Sequence, residues 1–589
     1  MKSKLLAGLR GALLIIVGGN TLGILTAGLQ PSQPSRMDRP SPMDPRAGSA
    51  RRFNANLGSN DLQTAWRTHL NAQGLQAAGA ADWLTVCRRL SLAMVGSGLS
   101  LEEIRQLQLL PQQDRVPHHR ENLLQSGRFH DYWAERFTRF LVGADGGPFL
   151  VYRRRRFRTW LADELANNRP YDELVRTLIT AQGLWTDRPE VNFYTVTYDS
   201  GDGQPDPIRL AARTTRAFLG IRIDCLQCHD DFLGNVSLGD PNCIGGDGSL
   251  REGTQQDFHA LAAFFSAARA SGLKGLVDRE TNYRYRFLDA TDEVDVLPGV
   301  PFRADLLHSP DESESGQSEF GQNEKPSADV SPRRARQQLA DWLTHRDNQQ
   351  FARAAVVRVW TLLFGRPPTS LDHPSSVDDL PLDATDHPMI AMLADGFVAS
   401  DFDVRQLIRA ITDSPPFRVD SRADFEVTQR HEDAMAVFPI VQLRGDQVAG
   451  AAMQAGRVKT IDRESSLLIQ LQRFGDRNDF LKRYGDLGED EFTSEAITLT
   501  QRLTMLNGKL VDQYSKWNPV FNASAHVGIF ASDDSMAIRT LYLSVLNREP
   551  TADESIHFVD RLSNSDDRSD SIEDLVWVLL NSTEFAWNH

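Results

Sequence analysis

Apolar residues recur at intervals of three and four in two long blocks of the chain. They do so in "WLTVCRRLSLAMV" and "DELVRTLITA" of the first block, and in "FARAAVVRVWTLLFGR" and "SIEDLVWVLLNSTEF" of the second. This spacing places apolar side chains on one face of an α-helix. The pattern predicts a mainly α protein with an N-terminal helical domain over residues 60–275 and a C-terminal helical domain over residues 335–589.

The pattern changes between these blocks. Apolar and polar residues alternate over residues 283–287 and again over residues 294–300, with turn-forming residues between the two runs. A period of two is typical of β-strands, so residues 276–307 are predicted to form a small β-hairpin segment. Residues 308–334 are acidic, polar and nearly free of aliphatic side chains, which predicts a flexible linker.

Three places share a helix, a turn marked by Gly or Asn, and a later helix that ends in Ser-x-x-Phe. They are "RRLSLAMVGSGLSLEE" with "LLQSGRF", "VRVWTLLFGRPPTSLD" with "AITDSPPF", and "RTLYLSVLNREPTADE" with "VLLNSTEF". The order indicates an internal repeat. Common helix-start signals would produce the same likeness, so both interpretations stay open.

The N-terminus carries an export signal. Residues 1–30 begin with Lys2, Lys4 and Arg10 and continue as an apolar stretch, which predicts either a cleaved signal peptide or a retained membrane anchor. Residues 31–59 are rich in Pro, Ser and Arg and are predicted to form a disordered tether. The remaining chain is therefore expected in the periplasm or cell envelope, either free or anchored to the inner membrane.

Composition narrows the classes of function. The chain has 589 residues and a formal net charge of −15, which disfavours broad attraction to nucleic acid. Only four cysteines occur, so disulfides do not hold the fold together. No G-x-S-x-G, H-E-x-x-H or P-loop pattern is found, so the sequence indicates no hydrolase or nucleotide-binding chemistry and identifies no catalytic residue.

One motif carries candidate chemistry: "DCLQCHDD" places Cys225, Cys228 and His229 in the pattern C-x-x-C-H. Two thiols at this spacing can each form a thioether to a haem vinyl group, and the adjacent imidazole can bind the iron. The motif follows a helix that is predicted to start at Asp206 and to end at Gly220. The pattern predicts haem c, with His229 as a ligand of the iron.

Two other interpretations of the motif stay open. Cys225, Cys228, His229 and Cys243 together have the ligand types of a closed tetrahedral zinc site. Alternatively, Cys225 forms a disulfide with Cys228, or one of the two does so with Cys243, in an oxidising compartment.

The second axial ligand of such a haem is a separate question. His259 is the nearest candidate along the chain, although a histidine on an apolar helix is more often a core residue with its hydrogen bonds satisfied. Met389 and Met392 are candidates only if the two helical domains pack together. Arg353, Arg358 and Arg366 would bring the two domains together if they paired with the aspartates of "DCLQCHDD". The alternative is that they pair with carboxylates of their own domain.

Eight stretches occur in the order of a known family. They are "RPYDELVRTLI", "RAFLGIRIDCLQCHDD", "DFHALAAFF", "RQQLADWLTHRDNQQFARAAVVRVWTLLFGR", "RQLIRAITDSPPF", "QRLTMLNGKLV", "LNREPTADE" and "LVWVLLNSTEFAWNH". Through them the chain resembles the planctomycete-type paired domains of unknown function, DUF1549 followed by DUF1553, from about residue 60 to the C-terminus. The resemblance implies a cell-envelope protein that accompanies cytochrome c modules.

The chain departs from that family beside the cysteines. The family continues C-x-x-C-H-D-H-P-F, whereas Asp231 stands here in place of the second histidine. If that histidine binds a metal or a haem edge in relatives, this chain lacks the role. Cys243 and its glycine-rich loop resemble an insertion.

Together these features predict an exported envelope protein that binds haem c and either transfers electrons or senses redox state. It would contact a redox partner protein, and the membrane through its N-terminal segment, and would bind no nucleic acid. The alternative is a non-catalytic binding or scaffold protein in which the cysteine cluster forms a disulfide or a structural metal site.

Overall fold

The computed structural model describes residues 59–589, apart from 145–146, 149–150, 199–202, 232–233, 235, 240–248, 308–333, 370–375, 384–385, 487, 489–491, 493–497 and 520–521. The predicted export segment, tether and acidic linker therefore lie almost entirely outside the described residues. Within the described residues, no helix is long and apolar enough to cross a membrane.

Helices dominate the N-terminal block, and several of them begin at capping side chains. Asp82 accepts a hydrogen bond from Leu84 N, and Ser100 and Glu103 form a capping box. The α-helices of this block are Ser59–Gln73, Trp83–Val95, Leu101–Gln108, Gln112–Gln125, Gly127–Val142, Arg154–Ala166, Tyr171–Ile179, Asn192–Thr195, Pro207–Thr214 and Gln255–Ala263.

The C-terminal block is also helical. Its predicted apolar stripe at Phe351, Ala355, Val359 and Leu362 is buried. The α-helices are Ala335–Leu343, Gln349–Phe364, Pro388–Ala399, Val404–Asp413, Pro415–Arg418, Gln429–Asp433, Gly445–Ala455, Leu467–Tyr484, Leu499–Asn507, Lys509–Ser515, Ala523–Phe530, Asp534–Val545, Ala552–Ser563 and Arg568–Leu580.

Short antiparallel strand pairs accompany the helices. They are Ser237–Gly239 with Leu250–Glu252, Ala268–Ala270 with Leu276–Asp278, Tyr283–Tyr285 with Val294–Val296, and Val441–Gln442 with Trp587–Asn588. The third pair is the predicted hairpin, and the mainly α fold class is confirmed. The other pairs were not predicted, because their two or three residues do not belong to a longer alternating run, whereas the predicted hairpin lies within the alternation over residues 283–287 and 294–300.

The boundary between the two hydrophobic cores does not coincide with the predicted linker. A first core extends from Leu62 to Phe438, with Leu543 added, and so contains side chains from both helical blocks. A second core is formed largely by residues from Leu443 to Phe585. The blocks on either side of the linker therefore share one core, while the division into domains on either side of it stays a prediction.

Buried arginines connect the two blocks. Arg336, in the helix that follows the linker, is 2% exposed. Its guanidinium donates to the main-chain oxygens of Ile179 and Ala181, at 3.2 and 2.8 Å, and to a carboxylate oxygen of Asp278 at 2.6 Å. Ile179 ends a helix, so Arg336 supplies donors to a helix end that lacks intrahelical partners.

Arg89 makes the same kind of contact in the opposite direction. This buried side chain of the N-terminal block donates to the carbonyl oxygens of Phe417 and Val419, at 2.9 and 2.8 Å. It also donates to the main-chain oxygen of His589 at 2.8 Å, and its guanidinium lies 3.6 Å from the ring centroid of Phe438. One side chain thus holds three segments of the C-terminal block.

The arginines of the helix Gln349–Phe364 and its C-terminal turn do not reach the cysteine motif. Arg353 pairs with Asp386, Arg358 with Asp378, and Arg366 with Glu432 and Asp433. The hypothesis that they pair with the aspartates of "DCLQCHDD" is wrong, and the alternative of pairing within their own block is confirmed. Carboxylates on neighbouring turns and helices of that block occupy the guanidinium groups.

The turn residues of the three repeated sequences share one backbone conformation. Gly96, Gly365 and Asn547 have φ angles of 66°, 81° and 53°, in the left-handed region that favours Gly and Asn. The phenylalanine of each Ser-x-x-Phe is buried. This common geometry supports the interpretation of the three sequences as an internal repeat.

We expect Arg336→Met to lower the free energy of unfolding by about 3–5 kcal/mol, because Asp278 loses its buried cationic partner and two carbonyl groups lose the guanidinium donors. Urea denaturation measures this change. The matched control is Arg346→Met, which removes a guanidinium that is 54% exposed and pairs with Asp401, and it should cost at most about 1 kcal/mol. Equal costs for the two variants would contradict the role of Arg336.

We expect stability to fall in mild acid through His119. Its Nε2 lies 2.7 Å from Ser91 Oγ, and burial lowers its pKa from 6.5 to about 4. The unfolded chain binds the proton more readily, so stability that is fully present above pH 6.5 is lost as the pH falls toward 4. Urea denaturation across this range should show a shallower pH dependence for His119→Asn. An unchanged slope would exclude His119 and would point to other buried histidines, such as His387 and His589, whose pKa values burial also lowers.

Candidate functional site

The helix that leads into the cysteine motif begins and ends where the sequence predicts. Asp206 accepts hydrogen bonds from the main-chain N–H groups of Ile208 and Arg209. The helix continues as a π-helical turn over Thr215–Leu219 and ends at Gly220, which has a φ of 63°. A π-turn at this place is notable because such turns are frequent at functional sites.

The end of that helix is held by the C-terminal block. Gln350 Nε2 donates to the carbonyl oxygens of Leu219 and Leu380, at 2.7 and 3.0 Å. Leu380 N donates to Gly220 O at 2.6 Å. A Cβ on Gly220 would lie 2.7 Å from Leu380 Cδ1, so this position needs glycine for space as well as for its backbone conformation.

The cysteines follow on a short exposed turn, which we call the Cys loop (residues 224–230). Residues Asp224–Gln227 form a single 3₁₀ turn, and Cys228 N donates to Cys225 O at 3.3 Å. Leu226 is fully buried and anchors the turn, whereas Cys225, Cys228 and His229 are all exposed. The structure thus presents the three predicted residues together on the surface.

Both thiols of the Cys loop are free in this structure. Partial loss of solvent around this exposed thiol, with smaller contributions from Asp231 and Asp224, raises the pKa of Cys225. Thiol–disulfide exchange proceeds through the thiolate, so this environment disfavours a catalytic exchange role. A raised pKa is compatible with addition of the thiol to a haem vinyl group and with slow disulfide formation.

His229 is oriented by one hydrogen bond. Its Nδ1 lies 2.8 Å from the main-chain oxygen of Asp230. A carbonyl oxygen only accepts, so Nδ1 carries the proton and Nε2 keeps its lone pair. Metal-binding histidines are commonly held in this way, by an Nδ1–H that donates to a carbonyl group. Nε2 of His229 is therefore the atom suited to bind iron or zinc.

The aspartates of the motif support the loop. A carboxylate oxygen of Asp230 accepts a hydrogen bond from Gln255 N, 2.7 Å away, at the start of the helix Gln255–Ala263. Asp231 is buried: its carboxylate accepts from Val236 N, and its own N–H donates to Gly253 O. The residue that replaces the second histidine of the family pattern thus closes a turn here.

A main-chain oxygen is the central acceptor beneath the Cys loop. Gln227 O accepts hydrogen bonds from Gln255 Nε2, His259 Nε2 and Tyr285 Oη, each at 3.1 Å. These donors come from a helix and from the β-hairpin, so both elements hold the peptide between the two cysteines. The sequence did not indicate this cluster, because every residue carries a main-chain carbonyl group.

His259 is a satisfied core residue. It is fully buried, its ring stacks on Tyr285 with 3.4 Å between ring centroids, and burial lowers its pKa. Because Nε2 donates to Gln227 O, Nδ1 must accept from the Tyr283 hydroxyl, 2.9 Å away. Both nitrogens are therefore occupied, and the candidacy of His259 as an axial ligand is wrong.

The other predicted ligands are Met389, Met392 and Cys243. Met389 is fully buried in the first core, and Met392 is half-buried. Cys243 lies outside the described residues, so the four-residue zinc site stays a prediction. Among the residues that the structure describes, no three His, Cys, Asp or Glu side chains come together as a metal site.

We expect His259→Phe to loosen the Cys loop, because it keeps an aromatic ring but removes both hydrogen bonds. The free energy of unfolding should fall by about 1–3 kcal/mol, and amide hydrogen exchange over residues 224–230 should become faster. Tyr283→Phe is the matched control, since it removes only the bond on the far side of the ring and should leave loop exchange nearer the wild-type rate. Unchanged exchange in His259→Phe would show that this cluster does not hold the loop.

Comparisons with known proteins identify two families. Residues 63–240 match a family described as a protein of unknown function (DUF1549), and this segment includes the Cys loop. Residues 335–562 match a second family described as a protein of unknown function (DUF1553). No curated protein and no solved structure matches the chain. The two matches occur in the order that the sequence motifs predict, and the chain belongs to the proteins that carry DUF1549 followed by DUF1553.

Proposed function

We propose that the Cys loop binds haem c covalently, through thioethers to Cys225 and Cys228 and through His229 Nε2 to the iron. The observation that carries the proposal is the Nδ1–H of His229, which is committed to a carbonyl oxygen and leaves Nε2 as the ligand atom. The exposure of both thiols supports it, since each must reach a vinyl group at the edge of the porphyrin.

The residues around the loop have supporting roles in this proposal. Leu226 anchors the turn in the core, and the hydrogen bonds to Gln227 O fix the peptide between the cysteines. Asp230, the residue after His229, accepts a hydrogen bond from the main-chain N–H at the start of a helix. Together they would keep the two thiols and the imidazole on the same exposed side of the protein.

When bound, haem would supply one-electron redox chemistry. His229 would bind the iron, whereas both ring nitrogens of His259 already form hydrogen bonds. Such a site suits electron transfer with a redox partner protein or redox sensing. The export segment at residues 1–30 belongs to the same proposal, because it would place the site in the envelope, with or without a membrane anchor.

The second candidate is a binding or scaffold protein without haem. The observation that favours it is the pair of exposed thiols on one short turn, because two neighbouring thiols can form a disulfide in an oxidising compartment. In this alternative, Cys225 and Cys228 join each other or Cys243, or the cluster holds a structural zinc ion.

We expect full-length protein produced with a cytochrome c maturation system to retain haem after denaturation and to give a pyridine haemochrome spectrum of the c type. Cys225→Ser/Cys228→Ser should abolish covalent attachment. Cys243→Ser is the matched control and should keep it, since the haem proposal does not use that thiol. Absence of covalent haem, with Cys225 and Cys228 joined by a disulfide in mass spectrometry, would end the proposal. Zinc that is lost in Cys243→Ser would favour the structural metal site.

A further inference from the structure

Two neighbouring helices near the C-terminus leave large apolar side chains in solvent. The helices Leu467–Tyr484 and Leu499–Asn507 pack against each other, and bury Phe480, Tyr484 and Met505 in the second core. Their outward sides carry what we call the apolar surface, which consists of Leu467, Leu468, Leu471, Phe474, Leu499, Leu503 and Leu506.

The arrangement of these side chains is regular. Residues 467, 471 and 474 are separated by four and three positions, as are residues 499, 503 and 506, so each set lies along one side of its helix. Phe474 is 67% exposed and Leu499 is 76% exposed. A helix that fills a core with one side normally presents polar residues on the other. Stripes of this kind mark a surface that binds something.

Exposed cations lie on both helices: Lys482 on the first and Arg502 on the second. Arg483 of the first helix is also exposed, but it forms an ion pair with Asp479, whose side chain is 46% exposed. Asp476, the other carboxylate of the first helix, is half-buried. The chain as a whole has a formal net charge of −15, so Lys482 and Arg502 are opposite in sign to the net charge of the protein.

We propose that the apolar surface binds to the interface of a bilayer that contains anionic lipids. The leucine and phenylalanine side chains enter the headgroup region, while Lys482 and Arg502 contact lipid phosphates. Helices with Leu and Phe on one side and cations beside them bind bilayers in this way, and each cation near a negative surface adds to the affinity. A second copy of the chain is a poorer occupant, because two-fold pairing would bring the cations of both copies together.

The test measures flotation of the full-length protein with vesicles of phosphatidylcholine, with and without phosphatidylglycerol. Leu471→Glu/Phe474→Glu should weaken binding to the anionic vesicles by roughly tenfold or more. Leu109→Glu/Leu273→Glu is the matched control, because it adds the same charge at leucines that are 87% and 93% exposed elsewhere, and it should bind like wild type. Lys482→Gln/Arg502→Gln should reduce the preference for phosphatidylglycerol.

Hydrogen exchange separates this surface from the apolar N-terminal segment, which is present in every variant. Anionic vesicles should slow exchange in residues 467–484 and 499–507. Equal flotation of the two glutamate variants, or unchanged exchange in both helices with vesicles bound, would overturn the proposal. If raising the protein concentration without lipid slowed exchange in both helices, the proposal would also be overturned. The apolar surface would then bind a second copy of the chain.

Discussion

A buried guanidinium group must find acceptors for its five N–H donors, and this chain supplies many of them at the carbonyl groups of distant segments. Arg336 extends from the C-terminal block to Ile179 and Ala181, while Arg89 extends from the N-terminal block to Phe417 and Val419. Neither block can satisfy these side chains alone. The first hydrophobic core, which contains residues of both blocks, is consistent with this mutual dependence.

The same dependence reaches the candidate site. Gln350 of the C-terminal block donates to Leu219 O, and Leu380 donates to Gly220 O, so the second block fixes the end of the helix that precedes the Cys loop. On the other side of the loop, Gln227 O is held by a helix of the first block and by the β-hairpin that follows this block. The exposed thiols and His229 therefore lie on a turn whose two sides are anchored by different parts of the chain.

Local signals were enough to predict some of this arrangement. The helix before the Cys loop begins at Asp206 and ends at Gly220. Both ends could be predicted, because helix capping and a left-handed backbone conformation depend on the type of the residue itself. The hairpin pair Tyr283–Tyr285 and Val294–Val296 follows from alternation. The partners of Arg353 and the donors to Gln227 O could not be predicted, because they depend on which turns meet in space and on main-chain groups that every residue has. The hydrogen bonds of His259 belong to the same class, although its burial followed from its apolar helix.

The central claim is that Cys225, Cys228 and His229 bind haem c on the exposed Cys loop. The most direct measurement is peptide mass spectrometry of the protein purified from its native cells, directed at the peptide that contains residues 225–229. The account predicts a peptide whose mass includes one haem, attached through both cysteines. The same peptide recovered with two alkylatable thiols, or with its cysteines in a disulfide, would contradict it.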